Sequence, residues 1–257
     1  MTRPISCARI AAIQSLIALT QGAAPKPRPA ELELIISRAK AGIDDLEFYY
    51  AHQDRLRSRI RPKCGSARDM MRKGDWIQTY TGVQFWPLDP RADEIQIEDI
   101  AHALSMQCRF SGHCLRFYSV AEHCVLLSRH VPRGDALWAL LHDASEAYLV
   151  DIPRPIKPAL GIYRELEASL MLRVCERFGI PAEMPASVHA ADRAILTDEM
   201  RQNMSAAPAP WSTETTPLGV TLRYWSPARA EEEFLEEFTI LSARGESREP
   251  ENAESGE

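Results

Sequence analysis

The chain has 257 residues, of which 45% are hydrophobic, 26% charged and 7% aromatic, a globular composition that excludes wholesale disorder and a fibrous repeat. No run of about 18 apolar residues occurs, so no spanning helix and no membrane partner is expected. The net charge of −6 is unevenly placed: residues 1–73 carry fourteen basic against seven acidic side chains, and the rest of the chain is acidic. Contact with nucleic acid is therefore sought only in the first third.

In chain order, Arg3 and Arg9 precede an apolar stretch at 10–19, and Gly22-Ala23-Ala24 has the look of a cleavage site. Gln14 and Ser15 interrupt that stretch, and Ile10, Ile13 and Ile17 recur at helical spacing, which favours a helix over a leader. Pro25, Pro27 and Pro29 form a stiff spacer. An amphipathic helix is expected over about 30–60, with Leu32, Ile35, Ile36, Ile43 and Leu46 on one side. A basic linker follows at 55–73. The expected organisation is a helical, basic extension at 1–73, a second domain at 74–243 and a disordered acidic tail at 244–257. The extension reads as an arm for oligomerisation or partner binding. As a nucleic-acid adaptor it lacks interleaved aromatics, Tyr49 and Tyr50 aside.

From Trp76 the pattern is aromatic and turn-rich as far as Pro90, which suggests a short hairpin. Helices are expected thereafter. Ile97, Ile100, Ala101 and Leu104 make one apolar face. Ser119-Val120-Ala121-Glu122 is a capping-box sequence that opens a helix to about Val131. A helix is expected over 135–148, closed off by Pro153, Pro155 and Pro158. Further helices are expected over 163–178, stopped by Gly179, over 186–204, and from Ser226-Pro227 to about Leu241. The fold class is all-α. Six cysteines (Cys7, Cys64, Cys108, Cys114, Cys124 and Cys175) form no Cys-x-x-Cys pair and read as free thiols of a cytoplasmic protein.

Chemistry concentrates on His142-Asp143, which interrupts the apolar run 137–147. A buried aspartate without a partner costs several kcal/mol, and a divalent cation compensates it well. Two adjacent helix residues cannot complete a coordination sphere, and His123 and Asp192 are the further donors on offer. Glu146 falls on the same helical face and is placed to serve a water rather than the cation.

The ordered set His123, His142-Asp143 and Asp192 resembles the signature of the HD-domain phosphohydrolases, a helical superfamily of metal-dependent hydrolases. The resemblance runs from about Trp76 to Phe238. It includes Cys108-Arg109-Phe110, Leu141-His142-Asp143-Ala144-Ser145-Glu146-Ala147 and Asp151-Ile152-Pro153-Arg154-Pro155-Ile156-Lys157. Within the superfamily the chain resembles bacterial 5′-deoxynucleotidases and the short enzymes of phages and prophages, which include dATP triphosphohydrolases. The resemblance implies an HD-domain helical bundle holding a divalent ion (Mn, Co, Mg or Zn) on His123, His142, Asp143 and Asp192. It implies Glu146 as the catalytic glutamate, Asp151 as a second acidic residue near the attacked phosphate, Arg109 and Lys157 as phosphate-binding cations, and Phe110 beside the sugar or base. At the position of His189 relatives often carry lysine, and a histidine donates there only when suitably protonated. The implied activity is hydrolysis of a nucleotide phosphate in a homo-oligomer, most simply a deoxynucleoside monophosphate. Triphosphate release from a dNTP is the alternative, and an inactive nucleotide-binding module is a further one. The absence of a Gly-x-Ser-x-Gly sequence and of a P-loop speaks against serine-hydrolase and ATPase chemistry.

Overall fold

The computed structural model describes residues 72–212 and 215–243, together with Leu32, Glu33, Ile35, Ile36, Ser37 and Lys40. The chain divides into two compact units, Met1–Arg61 and Pro62–Glu257. In the first, the described residues are helical, with Leu32 and Ile36 exposed and Ile35 half-buried. The remainder of the expected arm, most of the linker and the tail after 243 lie outside the described residues.

The second unit is mostly helical, as expected. A hairpin of two short strands, β1 (Ile77–Gln78) and β2 (Gln84–Phe85), pairs Ile77 with Phe85 across an antiparallel register. Gly82, at φ 82, takes the left-handed position the turn requires. The turn is pinned to the first helix: the Thr81 backbone N–H donates to Asp99 Oδ1 at 2.6 Å, and its hydroxyl donates to Oδ2 at 2.9 Å. Arg72 lies in the same unit, stacked over Trp86 and bonded to Asp89 and Glu94.

Among the described residues seven α-helices follow: α1 (Ile97–Met106), α2 (Val120–Ser128), α3 (Ala136–Leu141), α4 (Glu146–Leu149), α5 (Gly161–Phe178), α6 (Ala186–Asn203) and α7 (Pro227–Ser242). The local signals are obeyed at several ends. Ser119 accepts from the Glu122 N–H and Ser226 from the Arg229 N–H, and Gly179 closes α5 in the left-handed region.

Helix α2 is buried along all nine residues because it runs between two apolar clusters. Val120, Ala121, Cys124 and Val125 meet Ile100, Leu104, Leu140, Leu170 and Phe234 on one side. Leu126 and Leu127 meet Tyr118, Trp138, Val188 and Ile195 on the other. A helix buried all round must satisfy its polar side chains inside the protein. That rule explains the first departure from expectation. Glu122 does not reach back to complete the capping box. Its carboxylate instead accepts three backbone N–H groups, from Arg223 (2.6 Å), Tyr224 (2.9 Å) and Trp225 (2.6 Å), and so fastens the approach to α7 onto α2.

The second departure lies at 135–148, where one continuous helix was expected and two are found. The chain tightens at 142–145: Ala144 N–H donates to Leu141 O, Glu146 N–H to Asp143 O and Ala147 N–H to Ala144 O. His142 Nδ1 meanwhile bonds the Ala139 carbonyl at 2.7 Å. The break rotates His142, Asp143 and Glu146 away from uniform helical spacing. Among the described residues no helix is long and apolar enough to cross a membrane.

Removing the Glu122 carboxylate should leave three N–H groups without acceptors, each costing about 1–3 kcal/mol where water is excluded. Because the 223–225 segment is only partly buried, Glu122→Ala should lose roughly 2–4 kcal/mol in urea unfolding. A loss below about 1 kcal/mol would show that water replaces the clamp.

Candidate metal centre

Four side chains from three places in the sequence converge between α2, the α3–α4 break and α6. His123 Nε2 lies 3.2 Å from His142 Nε2, 3.4 Å from Asp192 Oδ1 and 3.8 Å from Asp143 Oδ2. His142 Nε2 lies 3.2 Å from Asp143 Oδ2 and 3.8 Å from Asp192 Oδ1. Edges of this length suit donors about 2.0–2.2 Å from a common point.

The hydrogen positions make the fit more specific. A carbonyl oxygen only accepts, so His142 Nδ1 carries the hydrogen it shares with Ala139 O. His123 Nδ1 lies 2.7 Å from Glu199 Oε1 and donates to that carboxylate. With both Nδ1 atoms committed, two Nε2 lone pairs face each other beside two carboxylates, and only a proton or a cation relieves that contact. Without a cation, protons do so. Burial disfavours the imidazolium of His142, but Asp143 and Asp192 outweigh it and push the ring well above its usual value. Burial likewise opposes ionisation of Asp143 and Asp192, yet the two imidazoles hold both carboxyls well below the usual range. A divalent cation would carry the charge those protons supply.

Two sets of donor atoms lie within mutual reach: His123 with His142 and Asp192, and Cys124 with His142 and Asp143. Burial pushes the Cys124 thiol up to about 11, while Asp143 Oδ2 lies 3.2 Å from His142 Nε2 and 3.8 Å from His123 Nε2, within reach of the first set as well.

Around the cluster stand the other expected residues. Glu146, at the start of α4, is buried; burial raises its carboxyl well above the usual range, and Asp143 and Asp151 raise it further. Glu146 Oε2 is a buried oxygen with no hydrogen-bond partner among the described residues, while Oε1 lies 3.5 Å from Lys157 Nζ. Lys157 also donates to Glu167 Oε1 at 2.8 Å. Asp151 is half-buried, and its N–H is held by Gln107 Oε1 at 3.3 Å; the Gln107 amide also donates to the Glu146 carbonyl at 3.0 Å.

Arg109 is buried, with NH1 3.7 Å from Asp143 Oδ2 and NH2 3.2 Å from Glu199 Oε2. It sits on a turn whose next residues, Phe110 (φ 55), Ser111 (φ 51) and Gly112 (φ 80), are all left-handed. Such strain in non-glycine residues persists only where the surroundings impose it. Here the Cys108–Ser119 bridge and the Arg109 N–H to Tyr118 O bond clamp the base of the turn. Phe110 packs edge-on to Trp211. His189, on α6, is exposed and is not brought into the cluster by any bond or ion pair among the described residues.

Three residues near the site were not foreseen. Glu199 is one, and its position seven after Asp192 puts both on one face of α6. Trp211 and Arg154 are the others, Arg154 lying with NH2 4.0 Å from Asp192 Oδ2. Periodicity was the available signal for Glu199; the loop residues had none.

Fold and site together define an all-α protein with a candidate metal centre built from His123, His142 and Asp192, with Asp143 and Cys124 beside it. The chain belongs to the family of "Uncharacterized protein YfdR" of Escherichia coli (strain K12), to which it is 44% identical over 126 residues, 49% of this chain and 71% of that protein. It is also similar to "Uncharacterized protein RCAP_rcc00048" of Rhodobacter capsulatus, 39% identical over 139 residues covering 50% of this chain and 71% of that one. No family model matches the chain.

Addition of Mn²⁺ at a hundredfold excess over its dissociation constant should stabilise the protein by about 2.7 kcal/mol, a rise of roughly 5–10 °C in Tm. The rise should shrink as pH falls from 7.5 to 5.5, because imidazoles with raised pKa values then keep the protons a cation must displace. Asp192→Asn should abolish it, and an undiminished rise in that variant would remove Asp192 from the centre.

Proposed function

We propose that the protein is an HD-type, divalent-metal-dependent phosphohydrolase acting on nucleotide phosphates, with 5′-deoxynucleotidase activity on dNMPs as the first choice. The observation that carries this reading is Glu146: a buried carboxyl with one unpartnered oxygen, beside the His123, His142 and Asp192 donors with Asp143 next to them, and flanked by Lys157 and Arg109. A bound Mn²⁺, Co²⁺, Mg²⁺ or Zn²⁺ ion would supply Lewis acidity, polarising a phosphoryl oxygen and lowering the pKa of water.

The chain's own residues do the rest. A buried carboxyl whose pKa burial raises is suited to hold the attacking water and accept its proton, which is the role assigned to Glu146. Burial, then the charge of Asp143 and then that of Asp151, keeps that group's pKa high. Arg109 and Lys157 would grip the equatorial oxygens of the phosphoryl group, and Phe110 with Trp211 would form an apolar wall for sugar or base.

The charge balance favours a short substrate. Arg109 is shared with Glu199 and Asp143, and Lys157 with Glu146 and Glu167, so neither offers a full uncompensated charge. His189 is exposed and has no bond or ion pair to the cluster among the described residues. Triphosphate release from a dNTP is the second reading, favoured by the half-exposed guanidinium of Arg154 beside Asp192 at the rim. A homo-oligomer acting on a free nucleotide, without a nucleic-acid partner, completes the proposal.

Product analysis on dNMPs, dNTPs and ribonucleotides with each metal tests the reading. The expected result is orthophosphate from dNMPs; triphosphate released from dATP in preference would replace the first choice with the second, and no hydrolysis of any nucleotide would sink both. Glu146→Gln should keep the metal and lose about 10²–10⁴-fold in turnover. Loss of the metal in that variant would make Glu146 a ligand instead.

A further inference from the structure

We propose that Glu199 is a positioning residue that ties the metal ligand His123 to the anion-gripping Arg109, so that one buried carboxylate fixes both. The inference rests on reading the cluster as a metal centre and Arg109 as its anion-binding cation, not on the reaction performed there.

The geometry divides the carboxylate between two neighbours. Oε1 accepts from His123 Nδ1 at 2.7 Å and Oε2 from Arg109 NH2 at 3.2 Å. Glu199 and His123 are fully buried and Arg109 nearly so, so water cannot take over either contact. By holding the hydrogen on Nδ1, Glu199 leaves the Nε2 lone pair of His123 facing His142, Asp143 and Asp192. By holding NH2, it aims NH1 of the same guanidinium toward Asp143. Outer carboxylates of this kind orient ligating histidines and raise their basicity.

The helix that carries Glu199 also holds the strained turn in place. Asn203, one turn further on, accepts from the Arg116 N–H through Oδ1 at 2.9 Å and donates from Nδ2 to the Arg116 carbonyl at 3.0 Å, while its own carbonyl accepts from the Leu115 N–H at 2.8 Å. Helix α6 thus presents Asp192 to the cluster, Glu199 to His123 and Arg109, and Asn203 to the end of the loop that bears Arg109. Metal affinity and anion affinity should therefore be coupled through Glu199.

A glutamine at this position is nearly isosteric but accepts only at one atom, so one of the two contacts becomes donor against donor. In isothermal titration with Mn²⁺, Glu199→Gln should bind about 10–100-fold more weakly than the wild type. The Mn²⁺-loaded variant should also bind inorganic phosphate more weakly, with circular dichroism unchanged. Glu199→Asp keeps the charge but withdraws it by one methylene, and should also weaken Mn²⁺ binding. A folded Glu199→Gln protein with wild-type Mn²⁺ and phosphate affinities overturns the assignment.

Should neither variant fold, the Zn²⁺-loaded wild type decides by nitrogen-15 NMR. The expected result is a His123 hydrogen on Nδ1, shifted downfield and protected from solvent exchange. A rapidly exchanging hydrogen there overturns the assignment. Wild-type protein that binds Mn²⁺ yet hydrolyses no nucleotide would sink the phosphohydrolase reading and leave the role of Glu199 standing. Wild-type protein that binds no metal would overturn both.

Discussion

Two imidazole rings with both Nδ1 hydrogens already spoken for are the constraint on which the second unit turns. His142 gives its hydrogen to a main-chain carbonyl and His123 gives its own to Glu199, so their Nε2 atoms confront each other at 3.2 Å in a buried pocket. Lone pairs do not face one another at that distance without something positive between or beside them. The two carboxylates of Asp143 and Asp192 add negative charge to the same point and deepen the requirement.

Much of the helical architecture can be understood as the means of holding that arrangement. His123 is fixed because α2 lies wholly inside the protein between two apolar clusters, and a helix in that position has little freedom to rotate. His142 and Asp143 lie where the chain tightens into i→i−3 bonds, with the His142 ring bonded to the Ala139 carbonyl of α3. Asp192 comes from α6, whose buried face packs Val188, Ala191 and Ile195 into the second cluster. The buried carboxylate of Glu122 on α2 is satisfied internally, by its clamp on three successive N–H groups.

The helices were largely legible in the sequence because their ends carry local chemistry. Ser119, Gly179 and Ser226-Pro227 each act within one turn of where they stand, and tertiary packing did not overrule them. The hairpin was visible for the same reason. What failed were inferences that extended a local pattern across a buried polar group. The run 137–147 looks like one helix because Leu137, Leu140, Leu141 and Ala144 recur at helical spacing, but His142 competes for a main-chain acceptor inside it. Ser119 and Glu122 look like a reciprocal cap, yet only Ser119 serves it, since Glu122 is drawn to a segment a hundred residues away. In the candidate site the four donors were found by resemblance and by the need to compensate Asp143. Glu199, Trp211 and Arg154 were missed because their importance arises from contacts between elements distant in sequence.

X-ray absorption at the zinc edge of the Zn²⁺-loaded protein tests the central claim most directly, because it reports which atoms surround the ion. The account predicts a shell of nitrogen and oxygen at about 2.0–2.2 Å with outer-shell scattering from two imidazoles. A sulfur neighbour at about 2.3 Å would place Cys124 in the shell and contradict the two-histidine, two-aspartate centre.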